Sequence, residues 1–98
     1  MVIAESFNCH SDSRLKKDIT PLDSVLEKLD SIRGVRYNWV AEEMAHEPQV
    51  GVIAQEIKSV YPELVKEGSN GFLSVDYPKL TAVLIQAVKE LKALVLAK

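Results

Sequence analysis

The chain has 98 residues, 47% hydrophobic and 27% charged, with a formal net charge of −2 at pH 7 and a single cysteine. These values indicate one small globular domain, which buries only about two thirds of its unfolded surface and would gain stability from assembly. They argue against a nucleic-acid-binding surface, a membrane span and an intrachain disulfide, because the sequence has no basic stripe, no long apolar run and no second cysteine.

The N-terminal half predicts a short strand-like segment, a helix and a strand. Residues 1–10 alternate weakly and are separate in character from the polar stretch that follows. Thr20 and Pro21 are typical of a helix N-cap and first turn, and Gly34 is typical of a C-cap. The alternation of apolar and polar residues over 35–40 predicts a strand.

The C-terminal half predicts short strands around a second helix, followed by a long third helix. Residues 49–53 form another apolar run, and residues 54–61 have helical spacing. A hairpin is predicted over residues 64–75, because an Asn-Gly dipeptide separates two apolar runs. Asp76 is expected to cap the last helix. The sequence therefore predicts a small α+β domain with an N-terminal helix, short antiparallel strands and a long C-terminal helix.

Apolar residues of the last helix recur at spacings of four and three, as in a heptad seam, which on its own is too short to specify a coiled coil. The seam consists of Leu80, Leu84, Ala87, Leu91 and Leu94, with Val83, Val88 and Val95 beside it.

Ser11 and Lys16 lie five positions apart in a polar stretch and could form a nucleophile and its base. A serine hydroxyl reacts only when a base takes its proton, and a lysine amine does so only when neutral. An ideal helix would not bring the two together, and an extended chain would separate them by up to roughly 17 Å. The pair therefore requires a turn between them or a lysine from a neighbouring chain. Ser13 and Lys17 are competing assignments.

Three segments, in this order, carry a resemblance to a known family: Ser11–Ile19, Gly51–Ile57 and the Asp76-Tyr77 step. Together they resemble the S74 peptidase family, the self-cleaving intramolecular chaperone domains at the C-terminus of phage tail spikes and tail fibres. The resemblance runs from Ser11 to about Leu91. It implies a homotrimer in which the C-terminal helices form a bundle along the predicted seam.

The resemblance implies that Ser11 and Lys16 are catalytic and that the chain is cut once, between His10 and Ser11. Residues 1–10 would then be the end of an upstream fibre segment, the folding client, and residues 11–98 the chaperone and autoprotease. Three joined chains would fold in register in the host cell cytoplasm, and the chaperone would leave the fibre after the cut. No cofactor, metal, nucleic acid or membrane is expected.

Four further residues are candidates for supporting roles: Asp12, Arg14, Gln55 and Glu56. Arg14 is expected to pair with Asp12 or Asp18 rather than to bind an oxyanion. Gln55 and Glu56 could orient the cleavage segment or could pair within the fold.

His10 could assist proton transfer or be a passive flank. Cys9, His10 and His46 lack the spacing of a metal site. Two alternatives to the self-cleaving chaperone remain: a non-catalytic homotrimerisation module and an unrelated α+β adaptor.

Overall fold

The structure is a computed structural model that describes residues 10–98. The strand-like segment predicted at the N-terminus lies outside the described residues, except for the exposed and irregular His10. The elements in chain order are α1 (Val25–Leu29), β1 (Val35–Tyr37), β2 (Gln49–Gly51), α2 (Ala54–Val60), β3 (Val65–Glu67), β4 (Leu73–Val75) and α3 (Leu80–Leu96). Short 3₁₀ turns cover Ser13–Leu15, Pro62–Leu64 and Tyr77–Lys79. The predicted α+β class is confirmed.

Helix α1 is shorter than predicted and begins elsewhere. The prediction that Thr20 and Pro21 start this helix is wrong, because Ser24 has a left-handed φ of 51° that interrupts the chain before Val25. The helix ends at Leu29, well before Gly34. The turns that follow are closed by hydrogen bonds between residues three apart, such as that from the Ile32 N–H to the Leu29 carbonyl. Local capping signals were overridden by contacts with the rest of the fold.

Within residues 10–98 the β structure consists of two separate antiparallel hairpins. In the first, β1 pairs with β2 so that Val35 lies opposite Gly51 and Tyr37 opposite Gln49. These strands are shorter than the apolar runs that predicted them. In the second, β3 pairs with β4 as predicted, and Gly71 provides the positive φ of 85° that the turn requires.

A small apolar core lies between the three helices and the second hairpin. Its buried members are Val25, Ile57, Tyr61, Leu64, Val83 and Ala87. Val25 and Ile57 are fully enclosed, so each contributes about 1.5–3 kcal/mol by burial. Residues 10–98 include no helix that is both long enough and apolar enough to cross a bilayer.

The predicted seam of α3 is divided between two faces. Val83 and Ala87 are buried in the core of the same chain, and Leu80 packs against it. Leu84 and Leu91 are exposed, at 56% and 52%. The exposed apolar residues at heptad spacing are Leu84, Val88, Leu91 and Val95. Leu80 and Ala87 therefore belong to the inner face, whereas Leu94, exposed at 57%, lies beyond the part of the helix that the core covers.

The start of α3 differs from the prediction in one detail. Asp76 stands at the N-cap of the 3₁₀ turn Tyr77–Lys79 but makes no side-chain capping bond there. Its carboxylate instead pairs with Lys79 Nζ at 3.4 Å.

Candidate active site

Ser11 and Lys16 meet within one chain. Lys16 Nζ lies 2.8 Å from Ser11 Oγ, which is hydrogen-bonding distance and the geometry that proton transfer between a hydroxyl and a neutral amine requires. Of the two arrangements that the sequence left open, the structure contains the turn within one chain. The competing residues Ser13 and Lys17 have no hydrogen bond to each other among the described contacts.

A capped 3₁₀ turn folds Lys16 back towards Ser11. Asp12 begins the turn, and its carboxylate accepts the Arg14 amide at 2.9 Å. The Leu15 and Lys16 amides then donate to the carbonyls of Asp12 and Ser13 at 3.0 and 3.1 Å. Asp12 is a good capping residue because its short carboxylate reaches an amide two positions on. The residue after Ser11 thus caps the turn that brings the lysine to the hydroxyl.

Asp12 and Arg14 form an ion pair beside the candidate dyad. Arg14 donates from Nε and a terminal nitrogen to the two Asp12 oxygens at 3.1 and 2.7 Å. The Arg14 guanidinium holds the pKa of the Asp12 carboxyl below its ordinary value. Arg14 therefore pairs with Asp12 in the structure, and its positive charge offsets the negative charge of the Asp12 carboxylate.

The candidate dyad is open to solvent in the single chain. Ser11 and Lys16 are both exposed. Leu15 and Ile19, which could have formed an apolar wall, are each 70% exposed. Burial is what shifts a lysine towards its neutral form. The single chain therefore brings the two groups together but leaves both of them exposed.

Glu56 pairs within the fold rather than with the cleavage segment. Its carboxylate accepts the Arg33 backbone amide at 3.1 Å and the Arg33 guanidinium at 2.9 and 2.7 Å. The Arg33 hydrogen bonds lower the pKa of Glu56. This bridge ties the chain after α1 to the first turn of α2. Sequence reasoning missed Arg33, because nothing local links two residues so far apart. Gln55 is exposed.

The second and third motifs touch through Gly51 and Tyr77. The Val52 amide donates to Tyr77 Oη at 3.1 Å. A Cβ on Gly51 would lie 2.6 Å from the same oxygen, so only glycine leaves room for it. An apolar groove of about 570 Å³ adjoins this contact, and Tyr37 and Trp39 pack edge to face on it with ring centroids 5.0 Å apart. The family resemblance includes the Asp76-Tyr77 step, but no local pattern indicates that the tyrosine hydroxyl reaches Gly51 and Val52.

Metal ligation finds no support in residues 10–98, where no group of three or more histidine, cysteine or acidic side chains could hold an ion. Cys9 lies outside the described residues. The ring nitrogen Nε2 of His46 lies 2.8 Å from the Glu42 carbonyl oxygen, to which its N–H can donate.

Comparisons with known proteins agree with the family resemblance of the sequence. The family model described as chaperone of endosialidase, Peptidase_S74, matches residues 11–66, which contain the first two of the three motifs. The long tail fiber protein Gp37 of Enterobacteria phage K3 is 36% identical over 90 residues, which cover 85% of this chain and 7% of that protein. Its counterpart in Salmonella phage S16 is 32% identical over 97 residues, covering 89% of this chain and 13% of that protein. The chain thus spans a small fraction of these relatives.

Proposed function

Because this chain belongs to the chaperone of endosialidase family, Peptidase_S74, we propose that it is a fibre-associated intramolecular chaperone that releases itself by one self-cleavage. The similarity to phage long tail fibre proteins supports a folding client that is such a fibre, upstream in the same polypeptide. The chaperone would act as a homotrimer in the host cell cytoplasm during virion assembly and leave the fibre after the cut.

The observation that carries the catalytic part is the 2.8 Å contact between Lys16 Nζ and Ser11 Oγ. In the proposed reaction Lys16 takes the hydroxyl proton, and Ser11 Oγ attacks the carbonyl carbon of His10. The bond from that carbon to the Ser11 nitrogen breaks, and the lysine returns the proton to the nitrogen. Water then hydrolyses the resulting ester, giving a His10 carboxylate and a free Ser11 amine.

One cut per chain needs no turnover machinery. The scissile carbonyl is covalently tethered to the nucleophile, and effective molarities for well-oriented groups of this kind reach about 10⁵ M or more. The remaining requirement is a neutral lysine. Since the dyad is exposed in the single chain, we propose that assembly covers it before the amine can act as a base.

A chaperone is useful here because structures with many contacts between distant residues or different chains fold slowly. Fibres built from strands of several chains fold slowly, because chain ends must meet before the contacts that stabilise them form. Joining three chains at one end raises their local concentration and sets their register. Once the chaperone leaves, the fibre is kinetically trapped.

The test is the intact mass of the purified chain after boiling in detergent. Loss of residues 1–10 is expected, and Ser11→Ala and Lys16→Ala should abolish it. Lys16→Arg should also abolish it, because arginine stays charged. The controls Ser13→Ala and Lys17→Ala should cleave like the unmodified chain. Cleavage that persists in Ser11→Ala, or stops equally in the two controls, would contradict the assigned dyad.

Coexpression decides whether the lysine acts within its own chain. Mixed assemblies of Ser11→Ala and Lys16→Ala chains should remain uncut, because no single chain carries both groups. Cleavage of the Lys16→Ala chain in such mixtures would show that a neighbouring chain supplies the amine.

One observation favours the alternative of a non-catalytic homotrimerisation module, namely the exposure of Ser11 and Lys16. A chain that assembles normally and keeps its full mass under all these conditions would support that function instead.

A further inference from the structure

Glu90 on α3 caps the start of α1. Its Oε2 and Oε1 accept the backbone amides of Val25 and Leu26, each at 3.0 Å. The first amides of a helix have no partner within the helix, and a neighbouring side chain normally satisfies them. Ser24 occupies the capping position here but makes no side-chain capping bond. The long helix therefore supplies what the local sequence does not.

The two hydrogen bonds also hold an unfavourable backbone conformation in place. Ser24 has φ of 51°, and Asp18, nearer the candidate dyad, has φ of 55°. Non-glycine residues in this region cost of order 1 kcal/mol or more and persist where the surroundings fix them. The Ser24 conformation is fixed by the two backbone amides that follow it, because both donate hydrogen bonds to Glu90. The direction in which the chain leaves α1 towards Ser11 is thus set at this point.

The segment that carries the dyad has little else to fix its position. Within the described part of the chain, the hydrogen bonds recorded for residues 11–16 all lie inside that segment. Residues 17–24 connect it to α1, and in this connector Leu22 packs against the core. The placement of Ser11 and Lys16 relative to the domain therefore depends on how the connector joins the first turn of α1.

We propose that Glu90 is a positioning residue for self-cleavage: by fixing the first turn of α1 from α3, its carboxylate fixes where the Ser11–Lys16 segment lies. This inference rests on the proposed self-cleavage. It also links the two halves of the proposed function, since the exposed apolar face of α3 (Leu84, Val88, Leu91 and Val95) lies on the helix that carries Glu90. If α3 moves on assembly, the Glu90 carboxylate would move the first turn of α1 with it and so change the position of the dyad.

The experiment compares the rate constant of self-cleavage in Glu90→Gln with that of the unmodified chain. The amide keeps one acceptor oxygen but presents an NH₂ group to the second backbone amide, so one of the two bonds is lost. Self-cleavage requires the segment to lie where assembly can cover it, and misplacements of about 1 Å can reduce rates up to a hundredfold, so we expect a fall of roughly tenfold to a hundredfold. Intact mass against time gives the rate, below the unfolding temperature of both proteins.

Two controls separate positioning from general loss of stability. Glu67→Gln makes the same change at an exposed site on β3 and should cleave normally. Val75→Ala trims a partly buried core contact on β4, away from α1. At conditions where Val75→Ala and Glu90→Gln are equally far below their unfolding temperatures, a merely structural role predicts equal rates. Positioning predicts that only Glu90→Gln is slow. Glu90→Asp, which keeps the charge but is shorter, is the second variant and should also be slow.

The experiment distinguishes failure of the inference about Glu90 from failure of the proposed self-cleavage. If Glu90→Gln and Glu90→Asp cleave as fast as the unmodified chain, or no slower than Val75→Ala, the inference is wrong while self-cleavage stands. If the unmodified chain keeps residues 1–10 just as Ser11→Ala does, both proposals are wrong.

Discussion

The hydroxyl of Tyr77 occupies the space into which any side chain on Gly51 would project. A Cβ built there would lie 2.6 Å from the tyrosine oxygen and 3.3 Å from Cε1 of Tyr37. The oxygen is held in place by the Val52 amide, which donates to it at 3.1 Å. One contact thus joins the first hairpin to the turn that precedes α3.

Gly51→Ala should therefore destabilise the fold by about 1–3 kcal/mol, the usual cost of overpacking a tight site. Thermal unfolding followed by circular dichroism measures the effect. Gly34→Ala is the matched control, because a Cβ at Gly34 would meet nothing within 4 Å, and it should be neutral or slightly stabilising. Adding Tyr77→Phe to Gly51→Ala should recover part of the loss. Equal effects of the two alanine substitutions would contradict the steric explanation.

A second prediction concerns Tyr61, whose ring is buried in the core. Its hydroxyl is enclosed and has no hydrogen-bond partner among the residues that the structure describes. Burial, with the charge of Glu90 next in importance, raises the pKa of Tyr61. An unsatisfied buried polar group costs about 1–3 kcal/mol, so Tyr61→Phe should be neutral or stabilising by up to about that amount.

The phenylalanine ring would keep the packing of Tyr61 and its contact with the Lys28 ammonium, which lies 5.2 Å from the ring centroid. Denaturant unfolding at constant protein concentration measures the change. Tyr61→Ala is the comparison and should cost about 3–5 kcal/mol, because it removes the ring itself. A loss of more than about 1 kcal/mol in Tyr61→Phe would mean that the hydroxyl is in fact satisfied.

The parts of the fold with local signals were predictable from the sequence, and the parts held by distant partners were not. The Asn-Gly turn of the second hairpin and the periodicity of α2 and α3 each arise within a few residues. The start of α1 was missed because its cap, Glu90, lies 65 residues along the chain from Val25. The bridge between Arg33 and Glu56 was missed for the same reason.

The same distinction between local and non-local signals applies to the candidate site. A turn between Ser11 and Lys16 could be inferred as a requirement, since the spacing fits neither a helix nor an extended chain. The use of Asp12 as the cap of that turn, and of Arg14 as the partner that neutralises it, depends on side-chain geometry. The division of the α3 seam into inner and exposed faces depends on which side of the helix the core occupies, which heptad spacing does not specify.

A third prediction follows from the carboxylates of Glu90 and Glu56. Backbone hydrogen bonds from Leu26 and Val25 lower the pKa of Glu90, and the Arg33 side chain lowers that of Glu56, from an ordinary value of 4.5. Such groups stabilise the folded state above the ordinary pKa, and the contribution is lost as pH falls through the lowered value. The unfolding temperature should therefore fall as the pH drops below the ordinary carboxyl pKa of 4.5 and through the lowered values.

Glu90→Gln should isolate one part of this effect. It should unfold at a lower temperature than the unmodified chain at about pH 6, and the difference should shrink as the pH falls below 4.5, because protonation of Glu90 removes the same interaction from the unmodified chain. Thermal unfolding at constant protein concentration measures both curves. Glu67→Gln serves as control and should follow the unmodified chain. A difference that stays constant or widens towards low pH would contradict the role of the Glu90 carboxylate.

The fourth prediction tests whether the exposed face of α3 holds the proposed trimer together. Leu84, Val88, Leu91 and Val95 are each more than half exposed and follow heptad spacing, so burying them between three helices would remove a continuous apolar strip from water. Leu84→Glu combined with Leu91→Glu should place carboxylates on that strip and convert the trimer to a monomer in sedimentation velocity at equal concentration. Lys89→Gln, which lowers the charge on an exposed site of the same helix, should leave the trimer intact. A trimer that survives both glutamates would show that another surface joins the chains.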